Sequence, residues 1–435
     1  MKVIEHLVNG EIVSMGDPTQ DVFNPSTGEV SKQVSLATKT TVEKAITAAQ
    51  DAFPEWRATP PLKRARIMFR FKELLEKNVN EIAQLIGEEH GKIAHDALGE
   101  VNRGIENVEY ACYAPQLLKG EHSKNIGTNI DSWSEFQPLG VVAGITPFNF
   151  PAMVPLWMYP MAIVCGNCFV LKPSERDPSA ALFVAQLLYE AGLPKGVLNV
   201  VNGGKEAVDT LLTDERVQAV SFVGSTAIAK YVYITATEHD KRCQALGGAK
   251  NHAIVMQDAE MENTVNALIG AAFGSSGERC MAISVAVAVG SETADNLIAG
   301  LKSKMQDLKV GNFDDSTNDF GPLITKDHME KVKQYITSAE AQGADIVVDG
   351  RSVNVKGCEN GFYVGGTLID SVQASMDSYQ NEIFGPVLQV VRVDTMQQAI
   401  DLIDEHEYGN GTCIFTRDGE AARYFSDQIK VGMVG

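Results

Sequence analysis

The chain has 435 residues and a formal charge of −19, with 44% hydrophobic and 21% charged residues. That length holds two or three domains with sizeable cores. That charge repels phosphate backbones and anionic lipid surfaces, so neither nucleic acid nor membrane is an expected partner.

Seven scattered cysteines, and a start Met1-Lys2-Val3-Ile4-Glu5-His6 without the apolar segment of a secretion signal, set the expectation of a reducing cytoplasm. In chain order, Leu7 to Ala37 reads as short strands and turns around the loop Asn24-Pro25-Ser26-Thr27-Gly28. Helices follow: Thr41 to Phe53, with Thr41 as N-cap, then Pro60 to Asn78. Glu81 to Tyr113 reads as further helices, broken at Gly91 and Gly104. The polar stretch Glu121 to Phe136 suits a solvent-facing hairpin. Phe136 to Leu171 contains no charged residue. Its prolines at 147, 151, 155 and 160, with Asn149 and Asn167, exclude a lipid-exposed helix and predict a strand, a loop and a buried helix.

Strands at Cys168 to Leu171, Val197 to Val201 and Val217 to Val223 then alternate with helices at Pro178 to Ala191, near Ala207 to Leu212, and from Gly224-Ser225-Thr226 onward. The second half repeats the alternation. Helices are expected at Ala259 to Phe273, Ala294 to Leu308, His328 to Gln342, Met396 to Glu405 and Gly419 to Gln428. Strands are expected at Ile283 to Val289, Ala344 to Val348, Gly361 to Leu368, Val387 to Val393 and Thr412 to Thr416. Such alternation means α/β architecture with parallel sheets, which bind ligands at the carboxyl ends of their strands.

One stretch stands out chemically. Gly274-Ser275-Ser276-Gly277-Glu278-Arg279-Cys280 puts a thiol between a helix and a strand, framed by glycines, where a nucleophile is held in one orientation. Cys165-Gly166-Asn167-Cys168 is a lone CxxC and reads as packing. No histidine spacing suggests a metal site.

Three stretches accompany Cys280: Ile145-Thr146-Pro147-Phe148-Asn149-Phe150-Pro151, Gln244-Ala245-Leu246-Gly247-Gly248-Ala249-Lys250, and Asn381-Glu382-Ile383-Phe384-Gly385-Pro386-Val387. With Lys172-Pro173-Ser174-Glu175 and Phe222-Val223-Gly224-Ser225-Thr226, they resemble the NAD(P)-dependent aldehyde dehydrogenase superfamily along the whole chain. Within it, Glu278-Arg279-Cys280-Met281-Ala282-Ile283-Ser284 and Ala245 to His252 resemble the CoA-acylating methylmalonate-semialdehyde dehydrogenases. The resemblance implies two doubly wound parallel-sheet domains. A nucleotide-binding domain would take residues 1–120 and 138–248, a catalytic domain 249–435, and a bridging, oligomerising hairpin 121–137. It implies a homo-oligomer, and a C-terminus short of the family's length, with the catalytic domain incomplete.

By the same resemblance, Cys280 is the nucleophile, and the Asn149 amide with the Cys280 N–H holds the oxyanion. Read from the residues alone, Asn149 is also a plausible turn residue. No GxGxxG or P-loop is present. Thr146 and Phe148 would line the cofactor site, and Gly224 and Ser225 at a helix start would offer N–H groups to a diphosphate. Lys172 and Glu175 would hold the adenosine ribose, the carboxylate favouring NAD over NADP. Glu382 and Phe384 would hold the nicotinamide end, although Glu382 also reads as a surface carboxylate.

Ala245 stands where hydrolytic relatives carry a glutamate that activates water. Alanine is no base, so an incoming CoA thiolate is the expected acyl acceptor, with Glu278 as a weak substitute base. Arg103 and Arg279 would anchor a substrate carboxylate, and Arg279 would lower the Cys280 pKa, while Arg103 reads equally as a helix-surface arginine. The expected reaction converts malonate or methylmalonate semialdehyde to acetyl-CoA or propionyl-CoA with loss of CO2. Hydrolytic oxidation of another carboxylated aldehyde and a non-catalytic nucleotide-binding fragment are the alternatives.

Overall fold

The computed structural model describes residues 2–435 as two compact units. The first holds residues up to Phe23, Val30–Glu89 and Ala97–Gly247; the second holds Asn24–Glu29, His90–Asp96 and Gly248–Gly435.

The first unit is built on a seven-stranded sheet of β1 (His6–Val8), β2 (Glu11–Val13), β3 (Val141–Ile145), β4 (Cys168–Lys172), β5 (Leu198–Val200), β6 (Val217–Val223) and β7 (Arg242–Leu246). Its order is β7-β6-β3-β4-β5-β1-β2, parallel from β7 to β5. β3 and β4 are buried at every position, as apolar runs must be when helices cover both faces of a parallel sheet. The chain passes from β3 outward to β4 and β5, then returns to the other side of β3 as β6. The order therefore reverses between β3 and β6, and the carboxyl ends of these strands open onto Thr146 and Gly224. That is the crevice position where doubly wound sheets take their ligands. A separate antiparallel hairpin, His122–Gly127 with Ile130–Trp133, exposes Ile126, Ile130 and Trp133.

The second unit carries β8 (Asn251–Val255), β9 (Ile283–Val289), β10 (Asp345–Val348), β11 (Thr367–Asp370), β12 (Val387–Val393), β13 (Gly411–Phe415) and β14 (Met433–Val434). The order is β10-β11-β12-β9-β8-β13-β14, parallel except for β10 on β11. Among the described residues, no helix is long and apolar enough to cross a membrane. The uncharged Phe136–Leu171 stretch is instead β3, a loop, the helix Met153–Val164 and β4.

Three expectations need correcting. The first helix spans Lys39–Ala58 with Thr38 at its N-cap. Thr41 lies inside it, its hydroxyl spent on Asp17 at 2.8 and 3.0 Å. Gly104 does not break its helix, which runs unbroken over Ala94–Cys112. The glycine serves close packing, since a Cβ there would lie 2.7 Å from Leu156 Cδ1. Finally, residues 361–366 are loop and only Thr367–Asp370 is strand. Phe362 and Gly365 donate their N–H groups to Pro25 and Gly350, both at 2.9 Å, and so are lost to the sheet.

Candidate active site

In the second unit the helix Met261–Phe273 ends and three consecutive residues, Ser275, Ser276 and Gly277, turn left-handed with φ of 48°, 57° and 71°. For serine this is a sparsely populated conformation costing about 1 kcal/mol or more per residue. Local bonds offset it. Ser275 N–H donates to Asp96 Oδ2 at 2.8 Å, Ser276 Oγ donates to the Gly321 carbonyl at 2.7 Å, and Glu278 N–H donates to Ser275 O at 3.0 Å. Gly277 cannot be replaced, because a Cβ would lie 2.2 Å from the Gly385 carbonyl oxygen. The tight turn delivers Cys280 just ahead of β9. Its carbonyl accepts from Asn251 Nδ2 at 2.8 Å and Asn410 Nδ2 at 3.0 Å. Asn251 also donates to Ala282 O at 2.9 Å and accepts from Gly411 N–H at 2.9 Å. The peptide carrying the thiol is thus clamped to β8 and β13.

Cys280, Arg279, Asn251, Glu382 and Phe384 line one small cavity of this unit. Burial pushes the Cys280 thiol above its ordinary range, and the Glu382 carboxylate adds to that; the N–H groups of Cys280 and Met281 pull the other way. The expected help from Arg279 is not found. Its guanidinium is paired with Asp96 at 2.7 Å, so its charge is largely neutralised before the thiol can benefit. Its Nε remains buried without a protein partner, one unspent donor of this residue. Glu278 is fully buried. Its carboxylate accepts from Ile324 N–H at 3.2 Å and stands 3.6 and 3.7 Å from the His90 and His328 rings. The carboxylate whose charge reaches Cys280 is Glu382.

Glu382 accepts from Ala249 N–H at 3.0 Å. Burial raises its pKa, against the pull of that N–H, Lys250 and Lys331. Phe384 is left-handed at φ 57°, and its carbonyl accepts from His328 Nε2 at 2.7 Å.

The first unit holds the remaining candidates. Thr146 follows β3, its N–H donating to Lys172 O at 3.1 Å, and its buried hydroxyl has no protein partner. Phe148 and Asn149 continue that loop, Asn149 being buried. Lys172, at the end of β4, pairs with Glu175 at 3.0 Å. Burial opposes ionisation of Glu175, but the Lys172 charge outweighs it, so the carboxyl lies below its usual range. Ser225 is the N-cap of Thr226–Glu238 and makes no side-chain cap bond. Gly224 differs from expectation. Its N–H is taken by Leu246 O at 3.1 Å, and the lack of a side chain makes room for the Phe222 ring, 2.5 Å from where a Cβ would stand. Arg103 is exposed, carries no ion pair among the described residues, and lies 6.0 Å from the Phe150 ring centroid. Its helix also supplies Glu100, which accepts from the N–H groups of Ala152 and Met153 at 2.9 and 3.2 Å and so anchors the loop holding Asn149.

On β7, Ala245 is half-buried and packs against the core of the first unit, whereas Leu246, on the opposite pleat, is 45% exposed. The residue standing free at the strand end is therefore Leu246. Residues 242–251 contain no carboxylate.

Asn251, Asn410 and Asp96 were not anticipated as site residues. Asn251 lies within a stretch the sequence already marked; Asp96 and Asn410 give no local signal, since only folding brings them to residues 275–281.

The model of the aldehyde dehydrogenase family matches residues 12–435. A malonate-semialdehyde dehydrogenase of Pseudomonas aeruginosa is 62% identical over 435 residues, which is 100% of this chain and 88% of that protein. The crystal structure of a methylmalonate-semialdehyde dehydrogenase from Oceanimonas doudoroffii matches with a TM-score of 0.99 and 73% identity, over 100% of this chain and 89% of that one. The crystal structure of a methylmalonate-semialdehyde dehydrogenase homologue from Sinorhizobium meliloti, complexed with NAD, matches with a TM-score of 0.99 and 50% identity over the same shares.

Proposed function

The chain belongs to the aldehyde dehydrogenase family, and from that premise we propose that it oxidises malonate or methylmalonate semialdehyde with NAD and CoA, giving acetyl-CoA or propionyl-CoA and CO2. The observation that carries the acyl-transfer part is the absence of any carboxylate in residues 242–251, together with the burial of Glu278 away from solvent. The semialdehyde substrates are supported by the names of the similar proteins.

The first unit suits the adenosine end of NAD. Thr146 offers an orphaned hydroxyl, Glu175 an ionised carboxylate for ribose hydroxyls, and Ser225 an uncapped helix start for a diphosphate. Glu382 and Phe384 would take the nicotinamide end. Bound NAD supplies the hydride acceptor.

Cys280, after losing its thiol proton to solvent, would add to the aldehyde carbonyl, forming a thiohemiacetal whose oxyanion the Asn149 amide and the Cys280 N–H would hold. Loss of hydride from the former aldehyde carbon leaves a thioester on Cys280. The CoA thiolate attacks that carbonyl, the C–S bond to Cys280 breaks, and the cysteine leaves as thiolate. A carboxylate β to a thioester carbonyl departs as CO2, its electron pair entering a thioester enolate that is then protonated. Arg103, which carries no ion pair among the described residues, and Arg279, through its unspent Nε–H, would anchor that carboxylate.

A homo-oligomer fits the exposed Ile126, Ile130 and Trp133 of the hairpin. A cytoplasmic setting fits seven free cysteines.

The test is NADH formation from malonate semialdehyde with and without CoA, with products identified by mass spectrometry. Acetyl-CoA stoichiometric with NADH is expected. Equal NADH rates without CoA, with free acid as product, would overturn the reading.

A further inference from the structure

Lys250 is 1% exposed, and its ammonium donates to two backbone carbonyls, Ser378 O at 2.6 Å and Asn381 O at 2.8 Å. Asn381 immediately precedes Glu382. In the reverse direction the N–H of Ala249, the residue before Lys250, donates to the Glu382 carboxylate at 3.0 Å. Residues 249–250 and 378–382 are therefore stapled both ways, one bond setting the carboxylate and two setting the backbone that carries it.

This staple is costly. Burial pushes Lys250 down to about 7, even though the charge of Glu382 supports the protonated form. His252 and His406 also lie near enough to feel the lysine charge, and both are themselves pushed down, chiefly by burial. An apolar side chain of similar length would fill the space without that penalty. What only a donor at this position accomplishes is to hold the carbonyls at the end of the short helix Asp377–Gln380, and with them the direction in which Glu382 leaves it.

We propose that Lys250 is the positioning residue for Glu382, fixing the 378–382 segment so that the carboxylate is preset for the hydroxyls of the cofactor ribose. This rests on the reading of Glu382 as a ribose ligand. Lys250 touches neither cofactor nor substrate; it acts through Glu382. Its signature is a loss of NAD affinity that depends on the Glu382 carboxylate being present.

The experiment is calorimetric titration of NAD into the full chain as wild type, Lys250→Met, Lys250→Gln, Glu382→Gln and Lys250→Met/Glu382→Gln. Lys250→Met should raise the NAD Kd about tenfold, and Lys250→Gln, whose amide reaches one carbonyl, about threefold. Glu382→Gln should weaken binding by itself, and the double variant should bind no worse than Glu382→Gln alone. A purely structural lysine would give the same loss in both backgrounds, and that additivity overturns the proposal. So does a Lys250→Met Kd within about twofold of wild type while Glu382→Gln is weakened, an outcome that leaves the reading of Glu382 intact. An unchanged Kd for Glu382→Gln refutes that reading, and the proposal with it. Should Lys250→Met fail to fold, Lys250→Gln and its double variant carry the same cycle.

Discussion

Replacing Asn251 by alanine removes three hydrogen bonds that tie the segment carrying the nucleophile to its neighbouring strands. Two run from Nδ2 to Cys280 O and Ala282 O at 2.8 and 2.9 Å, and one from Gly411 N–H to Oδ1 at 2.9 Å. The Cys280 carbonyl keeps Asn410 as a donor at 3.0 Å, so its loss is small. Ala282 O and Gly411 N–H lose this partner at a site where Asn251 itself is 1% exposed, and each orphaned group costs about 1–2 kcal/mol. The expected destabilisation is about 3 kcal/mol, or roughly 6–12 °C in thermal midpoint at the sensitivity of domains of 150–250 residues. The catalytic effect should be larger, because a nucleophile misplaced by about 1 Å loses about a hundredfold in rate. Thermal scans at fixed rate, with iodoacetamide alkylation of Cys280 and steady-state turnover, read both effects. A midpoint within about 2 °C of wild type, with unchanged alkylation and turnover, would refute the clamp. Asn251→Asp keeps the acceptor for Gly411 but turns a carboxylate toward two carbonyls, and should be worse than alanine.

The thiol of Cys280 should alkylate with a pH profile displaced above that of a free cysteine. Glu382→Gln should move the profile down, since removing a negative neighbour favours the thiolate; an unchanged profile would contradict the electrostatics described. Gly277→Ala should abolish turnover and destabilise by about 2 kcal/mol or more, because its methyl meets the Gly385 carbonyl oxygen; a wild-type midpoint and rate would disprove the close approach. Ala245→Glu should lower the thermal midpoint sharply by driving a carboxylate into the first unit's core, whereas Leu246→Glu, at an exposed position, should change stability by about 0.5 kcal/mol or less. Reversed effects would contradict the burial described for the two residues. Arg103→Gln should raise the KM for a carboxylated aldehyde far more than for propanal, because its guanidinium, over the Phe150 ring, carries no ion pair among the described residues; equal changes for both aldehydes would remove Arg103 from substrate binding.

Much of this protein was legible in its residues because the signals are local. Alternation of apolar runs with amphipathic segments sets the α/β architecture, since a strand buried on both faces has little choice of composition. Gly-rich punctuation around Cys280 marks a turn that only small or left-handed residues can make. The absence of a carboxylate from residues 242–251 is a property of composition, and folding could not alter it.

Other features depend on pairings across long sequence separations, which no local pattern encodes. Arg279 looked like free positive charge beside a thiol, until Asp96, 183 positions away in sequence, took its guanidinium. Glu278 looked like a spare base, until the fold enclosed it beside His90 and His328. Gly104 looked like a helix break and proved to be a packing notch for Leu156. The pleat of β7 turns Ala245 toward the core and exposes Leu246, because a period of two puts neighbouring side chains on opposite faces. Composition and order thus determined which chemistry the chain carries. Burial and distant partners, which set charge and orientation through desolvation and hydrogen bonding, decided which of those groups remain available to perform it.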